Sequence, residues 1–355
     1  MYYNTILFTH DDLDGAGCRI VFEIAHKHLT KGEEYTVINC SNGNINDKVL
    51  AAIDEGHIGP DTIICFADIS PSAEVACLLI DKYGADHIYV WDHHPTALYI
   101  VTLLPNATVK SENDMGIMES GTSLMFQYYN SIAFSNPMDP RSKYFHEGNL
   151  SLFSKFVDAV RSYDTYEWKK TNNISAKKLN MYMYMLGMDY FCNKYIEEIT
   201  SGTATDIIIG SDDVKVILET KLQNEKNIIN AITPEDIYTL NINGFTIAFT
   251  FPIFGANVSE FGNTFLAKYP QYDFFASISF GNKESTLQFR SCKDDLNLGL
   301  YIAAPLGGGG HPKAAGCPVP ENITTSIMDM VVNFLSNIES KSDIMNKLPS
   351  LELEK

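Results

Sequence analysis

Residues 92 to 94 read Asp92-His93-His94, directly after the apolar run His87-Ile88-Tyr89-Val90-Trp91 and directly before Pro95. Carboxylate oxygens and neutral imidazoles are ligands that divalent metals such as Mn²⁺ take, and open α/β sheets bind their ligands at the carboxyl ends of strands. A metal site is therefore expected where that run ends. Three other places carry similar chemistry. His10, Asp12 and Asp14 follow Thr5-Ile6-Leu7-Phe8 at i, i+2 and i+4. In extended backbone alternate side chains face one way, so the three either converge on one ion or divide between two. Capping is the other reading of the acidic ones, with Asp14 before Gly15 starting a helix. Asp68 closes an apolar run over 62–67, as a ligand or as a cap to the helix beyond Ser72. Asp164, in Arg161-Ser162-Tyr163-Asp164-Thr165, is a ligand or simply ends a helix.

Two metals about 3.5–4 Å apart need carboxylates that bridge them, and such a pair lowers the pKa of a shared water and clamps a phosphoryl group. A second kind of feature suits an anion. Gly307-Gly308-Gly309-Gly310-His311 precedes the helix-like Lys313-Ala314-Ala315-Gly316. It reads as backbone arranged to donate N–H groups to an anion, or as a flexible linker. Arg290, after a strand over 286–289, offers a bidentate phosphate contact or is a lone surface arginine.

The elements that must position these residues follow from periodicity. Apolar strands over 5–8, 35–39, 62–67 and 87–91 alternate with helical spacing over 18–29, 47–55 and 72–83. Strict alternation with near-continuous apolar strands predicts a parallel sheet with helices on both faces, which puts the strand ends of the first three acidic motifs on one edge. Helices are expected over 121–131 and 150–163, and the Met- and aromatic-rich stretch over 181–195 reads as helical core rather than a cofactor box. A long charged helix over 212–232 serves as connector. From 237 the pattern becomes strands over 238–242, 245–251, 274–280 and 285–290, with Asn243-Gly244 as a hairpin signal, then a helix over 324–338. The expected organisation is an α/β catalytic domain over 1–185, a helical connector over 186–235, a smaller α/β domain over 236–340 and an acidic tail over 341–355.

With 355 residues, 45% apolar and 12% aromatic, the chain is long enough for two domains with sizeable cores. No apolar run predicts a membrane span, and the amino terminus lacks a signal-peptide pattern, so a cytoplasmic protein is expected. The net charge of −18 disfavours a long duplex bound along a basic face, while leaving room for a short anionic ligand at one site. One local exception lies between 155 and 178, where Lys155, Arg161, Lys169, Lys170, Lys177 and Lys178 form either a phosphate-facing patch or a solvated helix face. The seven cysteines are scattered and never in CxxC spacing, so they read as small buried residues rather than a disulfide frame or zinc knot.

The motif set resembles the DHH phosphoesterase superfamily, which includes RecJ-type nucleases, family II inorganic pyrophosphatases, cyclic-dinucleotide phosphodiesterases and short-oligonucleotide nano-RNases. Thr9-His10-Asp11-Asp12-Leu13-Asp14-Gly15, Phe66-Ala67-Asp68, Asp92-His93-His94 and Tyr163-Asp164-Thr165 look like its four metal motifs in order. Arg290-Ser291 and the segment from Gly307 to Gly316 look like its associated C-terminal substrate-binding domain. The resemblance implies that His10, Asp12, Asp14, Asp68, His93 and Asp164 bind two Mn²⁺ ions, with Mg²⁺ or Co²⁺ as alternatives. By the same mapping Asp68 bridges the metals, Asp92 orients a histidine and His94 faces the scissile phosphate. Arg290, Gly308, Gly309, Gly310 and His311 hold the terminal nucleotide's phosphate. Many members separate the first histidine and aspartate by four residues; the spacing of two between His10 and Asp12 looks closest to the nano-RNase B and RecJ-like branches.

Pyrophosphatases lack the glycine-rich domain, sensor domains typical of many cyclic-dinucleotide phosphodiesterases are not seen, and 355 residues of acidic protein are expected to leave no room for an OB-like domain. The resemblance thus implies an exonuclease, of either polarity, that releases nucleoside 5′-monophosphates from short RNA oligomers, with short DNA oligomers left open as further substrates. Alternatives are a phosphatase or phosphodiesterase acting on pAp or linear or cyclic dinucleotides, a RecJ-like single-strand DNA exonuclease, and a catalytically inactive nucleotide-binding regulator. The expected partners are short oligonucleotides or dinucleotides, with no long duplex, no membrane, and a homodimer allowed.

Overall fold

The computed structural model of the chain describes residues 3–27, 34–136, 138, 142–145, 152–203, 205–253, 255–280, 285–320 and 325–326. The acidic tail expected over 341–355, and all of the helix expected over 324–338 except 325–326, lie outside the described residues. The chain divides into two compact units, Met1–Lys226 and Asn227–Lys355.

The first unit opens with β1 (Tyr3–His10), α1 (Leu13–His26), β2 (Tyr35–Cys40), α2 (Ile45–Asp54), β3 (Ile58–Ala67), α3 (Ala73–Tyr83), β4 (Ile88–Asp92) and β5 (Asn106–Val109). All strands pair parallel in the order β2-β1-β3-β4-β5. The apolar runs are continuous because both faces are covered. Ile6, Phe8, Ile64, Phe66 and Val90 enter one core with Val49 of α2 and Leu79 of α3. Leu7, Cys65, Ala67 and Trp91 enter the other, beneath α1 and the later helices. These are α4 (Gly121–Ser135), α5 (Ser142–Phe145), α6 (Leu152–Asp164), α7 (Glu167–Thr171), α8 (Ile174–Leu186) and α9 (Met188–Ser201), followed by α10 (Asp212–Ala231).

The strand order reverses direction between β1 and β3, since the chain steps from β1 to one side for β2 and to the other for β3. In open parallel sheets that reversal leaves a crevice at the strands' carboxyl ends, where connections diverge to opposite faces. His10 is the last residue of β1, Asp68 follows β3, and Asp92 ends β4.

In the second unit β6 (Tyr238–Ile242) and β7 (Phe245–Thr250) are joined by Asn243 and Gly244 with φ of 51° and 85°, the left-handed pair that a tight hairpin needs. α11 (Val258–Lys268) leads to β8 (Phe274–Ser279), β9 (Thr286–Arg290), a π-helical turn at Gly299–Ala303, β10 (Gly309–Gly310) and β11 (Ala314–Pro318). The sheet runs β10-β11-β9-β8-β7-β6; only β7 and β8 pair parallel, with α11 as crossover. Phe261, Phe265 and Leu266 of α11 cover one face, and Leu298 and Ala303 pack on the other.

Several local expectations are corrected. Residues 313–316 are not helix-like: β11 pairs antiparallel with β9, and the glycines suit close backbone packing. The stretch 181–195 is two helices, broken at Gly187 with φ of 78°. His87 belongs to a short 3-10 turn before β4, and the polar four-residue β5 gave no apolar signal. Of the cysteines, Cys77 and Cys292 are exposed; the other five are buried, and all seven are free. Among the described residues no helix is long and apolar enough to cross a membrane.

Candidate metal centre

The carboxyl end of the first sheet gathers His10, Asp12, Asp14, Asp68, Asp92, His93 and His94, and the last residue of α6, Asp164, completes the group. Local chemistry explains each placement. Asp12 is the N-cap of α1 and accepts the Gly15 N–H at 3.0 Å. That cap turns the chain sharply after β1, so Asp14 lies in the helix's first turn and points back into the sheet edge, almost completely buried. Asp68 adopts φ of 59°, a left-handed conformation uncommon for a residue with a side chain. It does not cap α3, where Ser72 accepts the Val75 N–H instead.

The six expected ligands separate into two trios. One oxygen or nitrogen from each of His10, Asp12 and Asp68 lies within 4.8 Å of the others, and the same holds for Asp14, His93 and Asp164. His10, Asp12 and Asp14 therefore divide between two sites rather than converge on one. Asp68 faces both groups: its Oδ1 is 3.2 Å from His93 Nε2, and its Oδ2 is 3.8 Å from His10 Nδ1. His93 Nε2 is also 3.2 Å from Asp164 Oδ2 and 3.9 Å from Asp14 Oδ2. His10 Nδ1 pairs with Asp12 Oδ2 at 2.8 Å.

Electrostatics favour cations here. Burial pushes the Asp68 carboxyl well above its ordinary range, and the charges of Asp14, Asp12 and Asp164 push it the same way. Burial, then Asp14 and Asp12, raise Asp164 likewise. Burial alone would lower His10, but Asp12, Asp11 and Asp164 outweigh it and raise the imidazole to about 9. Burial would raise Asp12; its ion pair and hydrogen bond with His10, with the Gly15 N–H, hold it below the usual carboxylate range instead. Asp68 Oδ2 and Asp164 Oδ2 are buried and accept no hydrogen bond. Buried polar atoms are normally satisfied, and clustered carboxylates repel unless positive charge sits among them. Carboxylates and imidazoles in this proportion fit a divalent ion such as Mn²⁺.

Asp92 stands beside the trios. Its Oδ2 accepts Ser70 Oγ at 2.6 Å, and its Oδ1 lies 2.8 Å from His94 Nδ1. The packing that holds the ligands has no signal in the sequence. A side chain at Gly15 would put Cβ 1.9 Å from the His10 carbonyl oxygen, and one at Gly121 would put it 2.7 Å from Asp68 Cβ. Gly15 sits inside a recognisable motif; Gly121, in Ser120-Gly121-Thr122-Ser123, reads only as a helix start.

The expected phosphate group lies in the second unit. Arg290 ends β9 opposite Ala314, so it sits beside the hairpin made by β10 and β11. Its Nε donates to Ser259 Oγ at 3.0 Å and its Nη1 to the Phe289 carbonyl at 2.7 Å. Gly308, Gly309 and Gly310 lead into His311, whose N–H donates to the Ala314 carbonyl at 2.8 Å in the hairpin tip. A Cβ at Gly308 would lie 2.0 Å from the Gly316 oxygen, so close backbone packing requires that glycine. In the basic stretch of the first unit, Arg161 pairs with Asp158 and Glu167, Lys177 with Glu225, and Lys178 with Glu219. Those three cations serve helix packing.

No family model matches the chain. Oligoribonuclease NrnB of Bacillus subtilis (strain 168) is 26% identical over 322 residues, covering 89% of this chain and 73% of that protein. Among solved structures, the exonuclease RecJ bound to manganese has a TM-score of 0.49 at 12% identity, over 94% of this chain and 90% of that one. The pGpG-specific phosphodiesterase PggH from Vibrio cholerae has a TM-score of 0.42 at 12% identity, over 95% and 99% respectively.

Proposed function

We propose that this chain, which belongs to the DHH phosphoesterase superfamily by its four ordered motifs and its similarity to NrnB, is a Mn²⁺-dependent phosphodiesterase that trims short oligoribonucleotides to nucleoside 5′-monophosphates. The observation that carries this reading is Asp68, which turns its two oxygens toward two separate ligand trios at the sheet's switch point. His10, Asp12 and Asp68 would hold one cation and Asp14, His93 and Asp164 the other, with Asp68 shared. When bound, two divalent cations supply Lewis acidity that lowers the pKa of an attacking water and neutralises charge on the non-bridging phosphate oxygens.

Asp92 fixes the ring of His94, which we assign to the substrate phosphate. In the second unit, Arg290, Gly308, Gly309, Gly310 and His311 are assigned the grip on a terminal nucleotide's phosphate, a role suited to a guanidinium beside a glycine hairpin. The acid-rich surface favours short substrates, since each added phosphate meets a net negative protein.

The test is a chromatographic product profile from labelled RNA and DNA oligomers of increasing length, incubated with the purified chain and Mn²⁺. Mononucleotide release that falls steeply with length, and is lost by on the order of 10³-fold in Asp68→Ala and His93→Ala, is the expected result. Full activity in both variants would overturn the site assignment. Turnover of pAp or a dinucleotide without oligomer cleavage would overturn the substrate assignment.

A further inference from the structure

We propose that the first turn of α4 sets the spacing between the two ligand trios, with Gly121 and Thr122 as positioning residues that hold Asp14 and Asp68 against each other. The proposal rests on the two-metal reading above and adds to it an element with no metal-ligating side chain.

Both oxygens of Asp14 are taken by this turn. The Gly121 N–H donates to Asp14 Oδ2 at 2.6 Å, and the Thr122 N–H to Asp14 Oδ1 at 3.0 Å. The first N–H groups of a helix have no partner within it, so a distant carboxylate caps α4 here. The Thr122 hydroxyl donates to the Asp14 carbonyl at 2.7 Å, pinning the backbone as well as the side chain. With one N–H on each oxygen, the carboxylate cannot rotate without breaking a hydrogen bond. Each oxygen keeps one further lone pair, and the direction of those lone pairs is set by α4 rather than by a ligand.

Gly121 also meets the other trio. A Cβ on it would lie 2.7 Å from Asp68 Cβ, 2.8 Å from Asp68 N and 2.9 Å from Asp68 Cα. Two of those atoms are backbone, and Asp68 already has a left-handed φ, so it has little freedom to retreat. The same residue therefore bonds a member of one trio and abuts the shared member of both. The turn itself is held firm by a reciprocal capping box, in which Ser120 Oγ accepts the Ser123 N–H and Ser123 Oγ accepts the Ser120 N–H. On its other side a Cβ at Gly17 would come 2.3 Å from Thr122 Oγ1, so α1 and α4 approach with no room for adjustment.

Groups that orient metal ligands usually contribute about 10–100-fold to metal affinity. The full-length wild type and the variants Gly121→Ala, Thr122→Val and Thr122→Ser are titrated with Mn²⁺ alone. Binding is read by calorimetry and by the electron paramagnetic resonance of the bound ions, and folding by circular dichroism. Wild type is expected to show two bound ions with an exchange-coupled spectrum. Gly121→Ala is expected to fold and bind Mn²⁺ but to lose the coupled spectrum, because Asp68 is displaced. Thr122→Val is expected to bind at least one ion about 10-fold more weakly, and Thr122→Ser, which keeps the hydroxyl, to restore wild-type affinity.

A folded Gly121→Ala protein with the wild-type coupled spectrum would overturn the proposal. If Gly121→Ala does not fold, equal Mn²⁺ affinity in Thr122→Val and Thr122→Ser would overturn it. Absence of a coupled pair in the wild type would overturn both this proposal and the two-metal reading. A coupled pair in a wild-type protein that cleaves no oligonucleotide would overturn only the substrate assignment.

Discussion

Asp92 holds His94 twice: its Oδ1 lies 2.8 Å from the His94 ring Nδ1 and accepts the His94 backbone N–H at 3.0 Å. Burial would raise the Asp92 carboxyl, but the charge and hydrogen bonds of His94 and the Ser70 hydroxyl hold it below the usual range. A carboxylate at Nδ1 favours the proton there and fixes the ring plane. The histidine that Asp92 orients is therefore His94.

Asp92→Asn keeps the shape of that contact and removes its charge. We expect kcat to fall about 10–100-fold, with KM and the number of bound Mn²⁺ ions unchanged. Steady-state kinetics with calorimetric metal titration check this; loss of a bound Mn²⁺ ion would place Asp92 in the metal shell instead.

Rising pH should lower the metal-free stability and enlarge the stabilisation that Mn²⁺ adds. His10 is raised from 6.5 to about 9, so its contribution is full below 6.5 and is lost as pH rises through about 9. Asp68 and Asp164 are raised above 3.8, so the folded state binds their protons more tightly and stability again falls as pH rises. In EDTA, Tm is expected to decline from mildly acidic pH toward pH about 9. Mn²⁺ competes with those protons, so the metal-induced rise in Tm should grow over the same interval. A thermal-shift series in both buffers measures it, and a metal-induced shift that shrinks with rising pH would count against these ligands.

Gly15→Ala is expected to destabilise the first unit by about 1–3 kcal/mol and to weaken Mn²⁺ binding. The added Cβ would stand 1.9 Å from the His10 oxygen and 2.5 Å from its carbonyl carbon, both main-chain atoms at the end of β1. Denaturant unfolding and Mn²⁺ titration report the two effects, and an unchanged midpoint would show that β1 yields easily.

Lys177 and Glu225 form a buried pair at 2.6 Å, with the ammonium 5.4 Å from the centre of the Trp168 ring. Glu225→Ala leaves a buried cation and should cost about 3–5 kcal/mol, while Lys177→Met with Glu225→Leu should recover most of it. Equal losses in the single and double variants would mean that packing, not charge, dominates there.

The alternating strands and helices, and the acidic and imidazole groups at strand ends, were legible in the sequence because apolar periodicity reports burial directly. Parallel strands then necessarily share one carboxyl edge. The order of the four motifs was legible only through the resemblance to the DHH phosphoesterases, since Asp164 ends a helix and strand periodicity does not mark it. Residues 313–316 misled, because Ala314, Ala315 and Gly316, three small residues after a glycine run, carry no periodicity, and only pairing with β9 makes them a strand. The sequence likewise left open whether Asp12 and Asp14 were caps or ligands; folding makes Asp12 a cap within one trio, and sends Asp14 to cap α4, 107 residues away, from within the other. Chemistry and its sheet edge are local facts, set by residue type and pattern. Which oxygen faces which histidine depends on backbone approaches such as Gly121 against Asp68, and those exist only once distant segments pack.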